Sequence, residues 1–515
     1  MFVLLDGGWP RPPQVRTSTV EMRREKQQDH HRNGAAGTPV PAPGRGGAGH
    51  AEGVSPDGGL HGGSRLSGLF RPVEIAPLVY FRIVGGALMM AETIGQLVTD
   101  YRTAYVGGAV HFHYTLLPWL EPWPPAGIYV HLAVNIAAAA LVTLGLHTRV
   151  AAAVFGLGTL SLLLMEQTVY INHTYLYGLT GLLLAAMPCG QAVSLDVRRG
   201  AVGARATAPA WCLLLLRFQL AVVYVYGGIA KLDPDWLATR AVRVWLERIV
   251  TYPIVGPLFA LPAVPYLLSW GGLIFDLMII PAMLWPRTRR GAFAIAIAFH
   301  MTNVVMFGLG TFPWFALAMT ALYFEPSAFR RMRWLGQRLP PAPAAPACET
   351  SAAPLTAQYD APSERRRAIL FALATYCALQ VLVPLRMQLY PAWVSWTEQG
   401  HKFSWRMMLR TKSGGVRFEV REPRSGRTWS EHPMRYLTAR QYSHMYDKPE
   451  LIRQFAHYLA DEYERRGHVG VEVRARAMAG LNGRRPRHLV DPDVNLAAEP
   501  ASLRPYSWIT PAPRP

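Results

Sequence analysis

Long apolar runs alternate with short polar connections through most of this chain, at about 75 to 97, 127 to 146, 149 to 166, 174 to 189, 211 to 230, 265 to 285, 291 to 309, 312 to 325 and 368 to 387. Most approach the ~20 residues a helix needs to cross a bilayer core. The pattern predicts nine membrane helices, the fourth and eighth being short for a full crossing. Residues 1 to 66 are rich in Gly, Pro, Arg and His without apolar period, which predicts a disordered arm. Residues 336 to 366, rich in Pro and Ala, read as a linker before a ninth helix over 367 to 390. Beyond it VRFEV, flanked by TKSGG and PRSGR, predicts a strand between turns. DKPELIRQFAHYLADEYERRG carries Leu451, Ile452, Phe455, Leu459 and Tyr463 at helical spacing. The expected fold is mainly α: a polytopic membrane helical bundle over 67 to 335, closed by the ninth helix, then a small α+β strand-rich domain over 391 to 515.

Composition agrees with a membrane protein, since 51% of the 515 residues are hydrophobic, too many for a typical soluble enzyme of this length. The net charge of +19 does not call for nucleic acid, because the arginines cluster in the termini and in every second connection. Arg149, Arg198, Arg199, Arg205, Arg287, Arg289, Arg290, Arg330, Arg331, Arg333, Arg338 and Arg365 to Arg367 all fall on one side of the alternation. Basic residues in short loops favour the cytoplasm, so the N-terminus is expected inside and the C-terminal domain outside; the Ala, Arg and Pro bias of the chain hints at a bacterial genome, and so at the inner membrane. An amphipathic stretch, LATRAVRVWLERIV, is then expected along the outer interface. Cys189, Cys212, Cys348 and Cys377 have no metal-ligand spacing, so neither zinc nor a disulfide framework is expected.

Against this apolar background a few polar groups stand out. Lys231 ends WCLLLLRFQLAVVYVYGGIAK, and an ammonium at membrane depth either snorkels to the interface or serves a site. Asn172 and His173 fall in the outer loop entering the fourth span, while His300 and Asn303 lie one turn apart on the seventh. All five are expected in the outer half of the bundle, and such gathering usually lines a cavity. Asp276 falls about halfway along the sixth span, where it either joins this set or simply pairs with an arginine. Gly227 and Gly228, one turn before Lys231, permit close approach of a flat ring or of another helix. Tyr224 and Tyr226 add aromatic surface. In the outer domain Trp396, His401, Phe403, Trp405 and Arg406 either cap the cavity or pack on the bilayer surface.

Six ordered blocks resemble the vitamin K-dependent gamma-carboxylases with their HTTM domain: FRIVGGALMM, EQTVYINHTYLYGL, YVYGGIAKLDPDW, FHMTNVVMFGLGTFPW, WTEQGHKFSWRMML and NGRRPRHLVDPDVNL. The resemblance implies an enzyme that oxidises a reduced vitamin K (phylloquinol or menaquinol) with O2 to its epoxide. The strong base so produced carboxylates glutamate side chains with CO2. Lys231 matches the family's general base, and apolar burial would leave its amine free to act. Asn172 and His173 match the polar pair near the reacting groups. His300, Asn303, Tyr175, Gly227, Gly228, Trp396, Trp405 and Arg406 make the expected quinol- and substrate-binding set, with no metal. The implied partners are the lipid bilayer, the quinol and a Glu-containing exported peptide or protein, without nucleic acid. Departures exist: Ala230 stands where vertebrate relatives have a second lysine, the vertebrate disulfide has no matching cysteines, and Arg406 replaces an acidic residue. They leave two other readings open, a quinol epoxidase whose acceptor is not glutamate and a non-catalytic transport or lipid-binding protein.

Overall fold

The computed structural model describes residues 66–254, 256–341 and 362–513. The expected N-terminal arm, apart from Leu66, and the middle of the expected linker, with Cys348, lie outside them. Every apolar run becomes a helix: α1 (Ala76–Val98), α2 (Pro125–Leu144), α3 (Thr148–Met165), α4 (Asn172–Ala186), α5 (Ala210–Ala230), then the interfacial α6 (Arg240–Ile249), α7 (Val264–Leu284), α8 (Arg289–Phe307), α9 (Phe312–Ala321) and α10 (Ser363–Leu385). Among the described residues 7 of these helices are long and apolar enough to cross a membrane. The fourth and eighth runs form the short ones, α4 with 15 residues and α9 with 10. Pro188 stops the first of these, because its ring cannot continue a helix.

At one end of the bundle the arginine-bearing connections interlock. Arg330 pairs with Glu74, Arg149 donates to the carbonyls of Ala185 and Ala186, and Arg289 lies 3.6 Å from Glu325. A two-stranded antiparallel sheet of β1 (Pro72–Glu74) and β2 (Thr207–Pro209) closes the same end. The C-terminal domain occupies the other end.

That domain is a four-stranded antiparallel sheet in the order β4-β3-β5-β6, built from β3 (Lys412–Arg421), β4 (Thr428–Glu431), β5 (Glu472–Leu481) and β6 (Arg487–His488), with α11 (Pro449–Arg465) packed on it. Alternate residues of β3 and β5 point to one face, so Phe418, Val420, Val473 and Ala475 meet Phe455 and Leu459 of α11 in a dry core. A polar clamp joins domain to bundle. Asp235, fully buried just after α5, accepts from Asn482 Nδ2 at 2.7 Å and from both terminal nitrogens of Arg484, one at 2.6 Å. The LDPDW and NGRRP motifs are therefore two halves of one contact, four residues along the chain from Lys231.

Candidate functional site

Asp233 and Pro234 terminate α5, since proline has no amide hydrogen to donate and disfavours helix in the residue before it. The Asp233 side chain then caps the short turn Pro234–Leu237 by accepting from the Asp235 amide. Lys231 is thus left as the C-cap of α5. Its neighbour α7 continues well past that level: Asp276 lies 12 residues inside α7, about 18 Å along the axis from Val264. So Lys231 does not snorkel. It is 6% exposed, and its Nζ donates to Asp276 Oδ2 at 2.5 Å and to the Gly227 carbonyl at 3.5 Å, lying 5.3 Å from the centre of the Trp236 ring. Of the partners open to Asp276, an arginine among them, the structure supplies this lysine, which the end of α5 brings to its level.

Gly227 and Gly228 serve the same pairing. A Cβ on Gly227 would stand 2.9 Å from Asp276 Oδ2, and one on Gly228 would stand 2.6 Å from Leu277 Cδ2. These glycines admit the neighbouring helix with its carboxylate. Of the two neighbours these glycines could admit, a flat ring or another helix, it is the helix that they face.

A cavity of about 360 Å3 opens beside the ion pair. Its walls are aromatic and aliphatic, including Tyr224, Phe275, Phe299, Phe307 and Phe312, and its polar groups include Lys231, Asp276, His300 and Asn303. His300 is 2% exposed; its Nε2 is hydrogen-bonded to the Tyr224 hydroxyl at 2.9 Å, while its Nδ1 has no partner among the described residues. A buried ring nitrogen left unpaired costs free energy that a bound donor or acceptor would recover. Leu267 and Ile295, both more than half exposed, stand at the rim, so the mouth lies between α7 and α8 on the lipid-facing side. Tyr226 points away, donating to the Val381 carbonyl of α10 at 2.6 Å.

Asn172 and His173 lie behind this cavity rather than in its wall. His173 stacks on Phe312 with ring centroids 5.5 Å apart, and its Nε2 is 3.6 Å from Glu92. Glu92 in turn accepts from the Thr311 hydroxyl at 2.5 Å, itself 2.7 Å from that of Tyr177. Asn172 accepts from the Tyr170 hydroxyl at 3.0 Å and donates to the Arg406 carbonyl at 3.3 Å. The pair therefore fixes one cavity wall and one cap segment.

The cap is the strap from Phe403 to Met408, with Phe403, Trp405 and Met408 at positive φ. Non-glycine residues pay for that conformation, and it persists only where surrounding contacts enforce it. Trp405, 1% exposed, stacks on Tyr175 at 5.1 Å, and the Arg406 guanidinium donates to Ser395 Oγ at 3.2 Å, 3.7 Å from Asp233. Asp233 also accepts from Trp393 Nε1 at 2.6 Å. These anchors turn Met407 and Met408 into the cavity wall. Trp396 takes no part; its Nε1 donates to the Thr510 carbonyl at 2.8 Å within the core of the sheet domain. His401 is likewise absent from the wall.

Sequence reading thus brought Lys231, His300 and Asn303 into one place and missed Glu92, Asp233, Met407 and Met408. Glu92 carried a usable signal, an ionisable residue inside the apolar LMMAETIG run. The methionines carried none, since a Met pair in a strand-rich region reads as core. Among the described residues no group of His, Cys, Asp and Glu converges as metal ligands would.

Comparison with known families finds two matches: the HTTM domain over residues 70–327, and the lumenal domain of vitamin K-dependent gamma-carboxylase over residues 365–514. No solved structure matches the chain.

Proposed function

The chain belongs to the vitamin K-dependent gamma-carboxylase family, and on that premise we propose that the cavity beside Lys231 binds a reduced naphthoquinone and that Lys231 is its general base. Bound there with O2, the quinol supplies a base strong enough to take the γ proton of a glutamate side chain, to which CO2 then adds, and leaves as the epoxide.

Lys231 and Asp276 hold one proton between them in apolar surroundings. The ion pair exchanges with an amine–carboxylic acid form that carries the same proton count. In that form the free amine would accept a hydroxyl proton, the ammonium then staying hydrogen-bonded to neutral Asp276 with the deprotonated quinol oxygen as its counter-charge. The unpartnered Nδ1 of His300 and the amide of Asn303 are placed to hold the quinol's oxygens, while the aromatic walls take its rings. Met407 and Met408 close the cavity on the domain side, where water would quench a strong base. His173 and Glu92 hold Phe312, and Asn172 holds the strap, so these act as positioning residues. The basic end of the bundle supports an inner-membrane topology with the C-terminal domain, and hence the approach of an exported Glu-containing peptide, outside.

The buried, aspartate-paired Lys231 in an aromatic cavity carries this reading. Its test uses the full chain in detergent with vitamin K hydroquinone, O2, labelled bicarbonate and a Glu-containing peptide. Epoxide with label in the peptide is the expected result. Epoxide without label moves the acceptor away from glutamate, and neither product, with quinol binding intact, overturns the enzyme assignment.

A further inference from the structure

Between α1 and α2 the chain rises into the C-terminal domain and returns. Gln441 Nε2 donates to the carbonyls of Ala104 and Val110, and the Ala109 amide donates to the Tyr436 carbonyl. Gln454 of α11 accepts from the His113 amide at 3.0 Å and donates to the His113 carbonyl at 2.9 Å. From Tyr114 to Pro124 the chain then passes from that domain contact to the first turn of the membrane helix α2. Two successive turns make the passage, closed by the Leu117 amide on the Tyr114 carbonyl at 2.8 Å and the Leu120 amide on the Leu117 carbonyl at 3.2 Å. Pro118 opens the second turn, where its fixed φ suits the position.

Each turn carries a large apolar side chain at its crest, Leu116 at 66% exposed and Trp119 at 72%, and Trp123 at 51% follows just before α2. Turns that face water take small polar residues, and apolar side chains of this size gathered on one short segment call for a partner. The segment is held firmly. His113 Nδ1 lies 3.2 Å from the Leu120 carbonyl, Leu120 packs on the cluster of Tyr101, Tyr105 and Ile128, and Trp123 Nε1 donates to His131 Nδ1 of α2 at 3.1 Å. The fold therefore presents the three side chains outward.

Charge and continuity select the occupant. No Lys or Arg stands between Arg102 and Arg149, and the single carboxylate in that stretch, Glu121, faces His113 at 3.4 Å, so nothing here would recognise an acidic peptide. Trp123 rests on Gly127, where a Cβ would stand 2.8 Å from its own. Val130 and Val134 follow on that face of α2 at helical spacing, both exposed on a helix long and apolar enough to cross a membrane. The patch is thus the upper end of a lipid-facing stripe, and indole rings suit the headgroup layer because they pair an apolar body with one N–H donor. We propose that Leu116, Trp119 and Trp123 insert into the headgroup–acyl boundary of the leaflet on the domain side, and that this loop seats the C-terminal domain on the bilayer. The inference does not depend on the role of Lys231. The seat reaches the strap, because Tyr114 lies 5.7 Å from Phe403 between ring centres and its ring carries Lys402 Nζ at 5.0 Å.

The test is electron paramagnetic resonance on the full chain in lipid nanodiscs. A nitroxide is placed by Leu116→Cys or Trp119→Cys after Cys189, Cys212, Cys348 and Cys377 are replaced by alanine, in variants whose helical circular dichroism matches wild type. Collision with O2, which concentrates in lipid, is compared with collision with a water-soluble nickel chelate. Val134→Cys on α2 and Ser425→Cys between β3 and β4 give the lipid and water references. Both loop sites are expected to show an O2-to-nickel ratio above that at Ser425 and below that at Val134. A ratio equal to that at Ser425 overturns the proposal. So does dipolar broadening between labels, which would seat a second copy of the chain on the patch, or a nickel collision rate that falls only when a Glu-containing peptide is added. An independent reading keeps the native cysteines: lipids brominated near the ester quench the tryptophan emission of wild type, and the Trp119→Phe, Trp123→Phe variant is expected to lose part of the quenched amplitude. An unchanged quenched amplitude also overturns the proposal.

Discussion

Replacing Lys231 tests two things at once, the proposed base and the fold, and only the pair Lys231–Asp276 separates them. At 2.5 Å and an effective dielectric near 20, the attraction between unit charges is about 7 kcal/mol. Most of it is offset by the cost of burying both groups, so deleting one partner costs about 3–5 kcal/mol, chiefly because the other is left uncompensated. Lys231→Ala should therefore abolish epoxide formation and also lower the thermal midpoint in detergent, by roughly 10 °C at 2–4 °C per kcal/mol. The double variant Lys231→Met with Asp276→Leu keeps the volume and removes both charges, an exchange that is neutral or stabilising for many buried pairs. Its midpoint should return to near that of wild type while activity stays absent. Size-exclusion thermal scans and the quinol assay measure the two quantities independently. The reasoning fails if Lys231→Ala alone leaves the midpoint unchanged, since the pair would then not be a desolvated one. It also fails if the stable double variant still forms epoxide.

Three further outcomes are expected. Gly227→Ala places a methyl group 2.9 Å from Asp276 Oδ2, and turnover should fall by on the order of tenfold to a hundredfold; Gly228→Ala, which meets the flexible end of Leu277, should cost less, and equal loss in both would contradict the assigned contacts. Arg484→Met leaves Asp235 with weaker partners, so the domain should loosen by about 3 kcal/mol and trypsin should cut sooner between α10 and β3. Burial raises the Glu398 carboxyl, but Arg410 and Lys412 outweigh it and hold it well below the usual carboxylate range. Stability from this group is thus complete above about pH 4.3 and is lost as pH falls through the depressed folded value; Glu398→Gln should be less stable at neutral pH and should lack that acid-dependent step in a thermal scan.

Much of this architecture is written locally. The apolar runs specify which segments become helices because each can satisfy its backbone only within itself in lipid. The arginines that border them follow the alternation, VRFEV lies within β3, and DKPELIRQFAHYLADEYERRG contains α11. Lys231, His300 and Asn303 were legible as candidates because polar groups in apolar helices are expensive and rare.

Depth and facing were not legible. Lys231 meets Asp276 only because α5 stops before Asp233-Pro234 while α7 begins some 18 Å from Asp276 on the domain side, an offset between helices that neither run contains. Asn172 and His173 read as equal members of the polar set, yet the packing of Phe312 sets them behind the cavity. Trp396 and Trp405 read as equivalent caps, yet one belongs to the sheet core and the other to the strap. Met407 and Met408 had no signal at all until the anchors of Arg406 turned them inward. The sequence by itself determined which residues lie in the membrane and which of them are chemically out of place there, since both depend on transfer free energies of single residues. Only the tertiary structure decided which of those groups share a cavity, because that depends on where separate helices end relative to one another.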